Sequence, residues 1–197
     1  MKEKKKFFTT RMIATTGVLT GVILVLQAIG NYINPAFANI NLSLVPIALG
    51  AILYGPIVGG FLGLVCGVMV LVSPSTMMYF FAISPIATVF TCLLKTTIAG
   101  VAAGFIFKLF QKKNDVVGAI IASALVPTIN TGIFCVMCYF FFSSFLESIN
   151  PNNIVAALFL SVAGINFIIE IISTVILTPS LYKIIEHVSI EGRKKDL

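Results

Sequence analysis

The sequence predicts an all-α integral membrane protein, a bundle of six transmembrane helices with both chain ends on the cytoplasmic side. Three observations carry this. The 197 residues are 58% hydrophobic and 10% charged, with a mean hydropathy of +1.07, whereas a soluble domain carries about 25% charged residues to cover its surface. Turn residues cut the apolar sequence into stretches of a length that suits a hydrocarbon layer about 30 Å thick. Finally, the cations cluster in alternate connections between those stretches. A soluble enzyme and a nucleic-acid module are both excluded.

The first span covers residues 11–30 and closes at Asn31, Asn34 and Pro35. A basic lead, Lys2 to Lys6, and the small-x-small triplet Ala36-Phe37-Ala38 give this region some likeness to a signal peptide. The apolar run Met12–Gly30 is longer than the usual ~7–15 residue signal core, so a retained helix is expected. The second span, 42–54, reaches only about 20 Å as a helix and should be tilted or sunk among its neighbours. Gly55-Pro56 makes a tight break, with Pro56 at a first helical position. The third span, 56–72, ends at Ser73-Pro74-Ser75. Ser84-Pro85 reads as an N-cap followed by a first-turn proline, opening a fourth span over 85–107. The fifth covers 116–142. The sixth covers 154–181, after Asn150-Pro151-Asn152-Asn153, and a basic tail over 182–197 completes a single membrane domain, 1–197.

Twelve of the thirteen Lys and Arg residues fall in the N-terminal, 108–113 and 183–195 segments, and the connections 31–41, 73–84 and 143–153 hold none. Positive charge resists translocation, so the asymmetry predicts the N-in, C-in arrangement.

The thirteenth cation, Lys95, lies mid-span, as does Glu170. Ionisable groups at membrane depth are costly and face a bundle interior. Counted from the cytoplasmic ends at about 1.5 Å per residue, Lys95 and Glu170 lie ~20 Å up, Asn130 ~22 Å and Asn166 ~26 Å. Four polar groups from three helices therefore share one layer, with Asn166 and Glu170 one turn apart on one face. They form a candidate substrate site. The competing reading is a Lys95–Glu170 ion pair that only locks the bundle. Pro127 lacks an N–H and would disturb the helix near the Ser123 carbonyl, beside Asn130.

Small residues mark close helix approach. Gly59-x-x-x-Gly63-x-x-x-Gly67 and Gly100-x-x-x-Gly104 suit internal packing, while Ala14, Gly17 and Gly21 form a smooth strip on the first span that a partner's helices could use. Cys66, Cys92, Cys135 and Cys138 lie in apolar runs and read as small hydrophobes. Cys135-x-x-Cys138 has redox or metal spacing, but no second pair and no nearby His joins it; no catalytic constellation or P-loop is present, and the one histidine, His187, lies in the basic tail. The chain is therefore read as neither an enzyme nor a holder of a metal or cofactor.

The stretch from Asn41 to Gly60, with its Tyr54-Gly55-Pro56 break between a short span and a glycine-rich one, resembles the corresponding hairpin in substrate-specific (S) components of energy-coupling factor (ECF) vitamin transporters. The resemblance covers nearly the whole chain. It implies a membrane subunit that captures a vitamin from outside and works with a transmembrane T component and two ATPase subunits, which bind the ATP. It implies that the first-helix residues Ala14, Gly17 and Gly21 contact the T component. It also implies a ligand held between the outer halves of spans four to six, under Asn39–Ser43 and Met77–Ser84. Asn41 and Tyr79 thereby join Lys95, Asn130, Asn166 and Glu170 as candidate substrate-binding residues, with Phe80 and Phe81 as apolar lining. Riboflavin-type members often carry an Asp before the second-span proline and a Lys in the last span. Here Ser43-Leu44-Val45-Pro46 and Glu170 stand instead, so a pantothenate-like acid suits the site better. A bacterial plasma membrane is the implied location. The alternative function is a stand-alone, proton-coupled transporter with Glu170 as its proton site.

Overall fold

The computed structural model describes residues 9–33, 40–158 and 164–195. The basic lead Lys2–Lys6, the turn residues Asn34 and Pro35, the triplet Ala36–Ala38, and Asn39 lie outside the described residues. In chain order the helices are α1 (Thr10–Ile33), α2 (Leu44–Tyr54), α3 (Pro56–Leu71), a π-helical segment (Thr76–Phe81), α4 (Pro85–Phe110), α5 (Asp115–Phe141), α6 (Ser143–Ile149), α7 (Ile154–Ala157) and α8 (Gly164–Lys195).

Four stretches are long and apolar enough to cross a membrane: Thr10–Asn31, Pro85–Phe110, Asp115–Phe141 and Asn166–Ile185. α2 and α3 are apolar but shorter, about 16 and 24 Å at the helical rise. The chain is a multi-pass, all-helical membrane protein. α2 is the sunken element: every residue from Leu44 to Ile52 is buried, and the helix touches α1, α3, α4, α5 and α8.

Lipid is as apolar as leucine, so close backbone approach and van der Waals contact hold such a bundle together. The two glycine ladders supply it. A Cβ on Gly67 would lie 2.6 Å from the Cys92 carbonyl oxygen, and one on Gly63, Gly59 or Gly104 would collide with the backbone of Thr96, Gly100 or Pro56. The pairing runs in opposite order along the two helices, so α3 and α4 are antiparallel and packed backbone to backbone. Gly55, at φ +90°, makes the hairpin turn before Pro56 in a conformation that side-chain-bearing residues avoid. Large apolar side chains such as Phe105, Leu109 and Ile86 face outward, where lipid would meet them.

Several boundaries differ from the sequence reading. The expected connections 73–84 and 143–153 contain the π-helical segment and α6, stitched together by aromatic contacts from Phe80 to Phe134, Phe142 and Phe145 at 5.5, 5.1 and 4.8 Å. Within the expected sixth span the described residues include α7 and α8, and α8 continues to Lys195, through the expected tail. Its last turns carry too few apolar residues for a membrane signal, but helix formation needs no lipid. Ser84 occupies the N-cap position without a side-chain cap bond, whereas Asn114 caps α5 by accepting from the Val116 and Val117 amides at 3.1 Å. α5 runs through Pro127 as one helix.

Candidate functional site

A cavity of about 160 Å³ opens at the end of the bundle where α1 ends and α4 begins. Helical spacing builds its walls. α4 contributes Thr88, Thr91, Cys92 and Lys95, spaced three or four residues apart except for the adjacent Thr91–Cys92 pair, on one face. α5 contributes Asn130, Thr131 and Phe134, and α8 contributes Asn166, Phe167 and Glu170. The end of α1 supplies Gln27, the following segment supplies Ile40, Asn41 and Leu42, and Thr76, Tyr79 and Phe80 come from the π-helical segment. The three long helices bring polar groups inward because burial among neighbours is the alternative to facing lipid.

All six sequence-predicted residues, Lys95, Asn130, Asn166, Glu170, Asn41 and Tyr79, line this one cavity. Phe80 joins them and Phe81 does not. Lys95 is buried, and its Nζ sits 4.3 Å from the centroid of the Phe134 ring, in cation–π contact. It makes no ion pair with Glu170 or with any other acid among the described residues, so the locking pair of the competing reading is not formed. Glu170 is also buried, and its Oε1 accepts the backbone N–H of Asn41 at 2.9 Å. The carboxylate can do this because Asn41 heads the turn into α2, where first-turn N–H groups lack helical partners. Asn130 is 5% exposed, and its Oδ1 is buried without a hydrogen-bond partner.

The sequence reading missed Gln27, Thr88 and Thr91. Gln27 donates from Nε2 to Asn41 Oδ1 at 2.7 Å and to Cys66 Sγ at 3.3 Å. It is the single amide in the apolar stretch of α1, and that was the available signal. Thr88 and Thr91 stand two turns and one turn before Lys95. Their hydroxyls donate to the Ser84 and Ala87 carbonyls at 2.8 and 2.7 Å, which disguises them as ordinary helix-bound threonines. Cys66 departs from its reading as a plain hydrophobe, since it accepts from both Gln27 and Asn41. Among the described residues no acidic, histidine or thiol cluster could hold a metal ion.

The strip of Ala14, Gly17 and Gly21 is exposed, and a Cβ on either glycine would meet nothing within 4 Å. The opposite face of α1, with Leu19, Ile23 and Gln27, is buried.

Comparison with protein families finds that residues 11–182 match the family described as "ECF transporter, substrate-specific component". Searches of curated proteins and of solved structures give no significant match.

Proposed function

The chain belongs to the family of ECF transporter substrate-specific components, and from that premise we propose that it captures a vitamin or related micronutrient outside the cell for ATP-driven uptake. Members of this family are transport components rather than enzymes, and the family implies T-component and ATPase partners. The cavity is the binding site in this reading, with Lys95, Asn130, Asn166, Glu170, Asn41 and Tyr79 around the ligand. Ala14, Gly17 and Gly21 form the surface that meets the T component. The two partner ATPases bind the ATP, and this chain carries no cofactor. The plasma membrane is the site of action, with the cavity opening outward.

One observation carries the reading. Polar groups from α4, α5 and α8 converge on one cavity, where among the described residues the Lys95 ammonium meets an aromatic face but no acid, and the Asn130 amide oxygen has no hydrogen-bond partner. A protein leaves such groups unmatched at a cost of about 1–3 kcal/mol each or more, which a ligand that completes them recovers. The remaining wall is apolar and aromatic, as small-molecule sites are.

The test is to purify the chain from its membrane and identify any bound small molecule by mass spectrometry, then to co-express it with ECF partners and measure uptake. A bound micronutrient and partner-dependent, ATP-dependent uptake are expected. Uptake by the chain without partners, driven by a proton gradient, would overturn the proposal.

A further inference from the structure

The cavity contains two ionisable side chains of opposite sign, yet they are used differently. The acceptor oxygen of Glu170 is committed to the chain itself, holding the Asn41 N–H at 2.9 Å, and Asn41 is held a second time through Gln27 at 2.7 Å. Among the described residues, Lys95 is held only by the face of Phe134. Its ammonium has three N–H donors and, among the described residues, no carboxylate or carbonyl to receive them. The lysine is 8% exposed, so bulk water does not solvate it freely. A cation–π contact restores part of the lost hydration but satisfies none of the directional donors. Asn130 adds an acceptor at the same cavity, its Oδ1 buried and unmatched.

We infer that the ligand is an organic acid: its carboxylate pairs with Lys95, and an N–H or O–H elsewhere on it donates to Asn130. This inference rests on the reading of the cavity as a capture site. A neutral ligand would leave the buried ammonium uncompensated. A cationic one would be repelled by Lys95 while finding Glu170 already engaged. Glu170 is then a positioning residue, acting through Asn41 to hold the segment before α2 against the cavity. Its charge opposes the ligand's across the gap.

The test uses the purified full chain in detergent and a panel of probes. Pantothenate, biotin and nicotinate are acids, riboflavin and pyridoxine are uncharged, and thiamin is a cation. Affinity is read from ligand-induced thermal shifts and direct titration. One acid should bind, and its uncharged alcohol or amide counterpart (panthenol for pantothenate, nicotinamide for nicotinate) should bind at least tenfold more weakly to the same wild-type protein. Lys95→Met should lose at least tenfold for the acid. Glu170→Gln keeps an acceptor for Asn41 while removing the opposing charge, so it should tighten acid binding severalfold. The counterpart comparison needs no variant, so misfolding of Lys95→Met would not rescue the idea. Binding of riboflavin, pyridoxine or thiamin instead, or equal affinity for acid and counterpart, would overturn the inference while leaving the capture reading intact. If no probe binds and no small molecule co-purifies, the capture reading itself fails.

Discussion

Two buried amides in the cavity wall illustrate opposite uses of a polar side chain. Gln27 commits its amide nitrogen to protein, donating to Asn41 and Cys66. Asn130 keeps a buried oxygen that nothing in the protein satisfies. Removing this donor leaves Asn41 Oδ1 with only the long Cys66 thiol contact at 4.0 Å, so Gln27→Leu should destabilise the empty protein by about 1–3 kcal/mol. Asn130→Leu deletes an oxygen with no partner and should leave the melting temperature of the empty protein unchanged or raised, while weakening ligand binding. Melting curves of both variants, with ligand and without, check this. Equal destabilisation of the empty protein by the two would show that Asn130 is structural. Depth counting brought Asn130 into view because its signal is an amide in the middle of a span. Gln27 carries the same signal, an amide in an apolar stretch, but on a helix whose more prominent feature is the small-residue strip on its other face.

Helices in this molecule carry glycine for two reasons, and spacing does not tell them apart. Gly59, Gly63 and Gly67 on α3 meet the backbone of α4, so even a methyl group has nowhere to go. Gly63→Ala should therefore lower stability by about 1–3 kcal/mol through overpacking, seen as a fall in melting temperature. Gly17→Ala projects into open space, and alanine is the better helix former by about 1 kcal/mol; stability should hold or rise. If the exposed strip is the T-component surface, Gly21→Leu should block assembly with the partners while the isolated chain still binds ligand. Pull-down from a co-expressing strain and ligand titration separate those two effects. Loss of ligand binding with assembly intact would reverse the assignment.

Across the whole molecule, Lys108, Lys112, Lys113 and Lys183 gather at the end of the bundle that also holds the α2–α3 turn, where a Cβ on Gly55 would approach the Lys108 ammonium to 3.3 Å. The cavity lies toward the opposite end, which carries no Lys or Arg in its connections. That polarity predicts orientation. In intact cells, a thiol introduced at Asn152 should react with a membrane-impermeant reagent and one at Lys112 should not. Labelling at 112 would invert the molecule and close the cavity to the outside.

The all-helical membrane class, the sunken second helix, the glycine hairpin and the four-residue polar layer were legible in the chain, because each depends on local spacing or on the cost of placing polar atoms in lipid. Whether Lys95 and Glu170 neutralise each other was not legible. Equal depth on two helices leaves their rotation about their own axes free, and rotation sets which partner each side chain meets. Packing places Asn41, at the entry to α2, in front of Glu170, and direct α4–α5 packing puts Phe134 beneath Lys95, so the two charges do not form a strut. The helical pieces Thr76–Phe81 and Ser143–Ile149 were hidden for a similar reason. They are too short to announce themselves by periodicity, and long-range aromatic contacts accompany them.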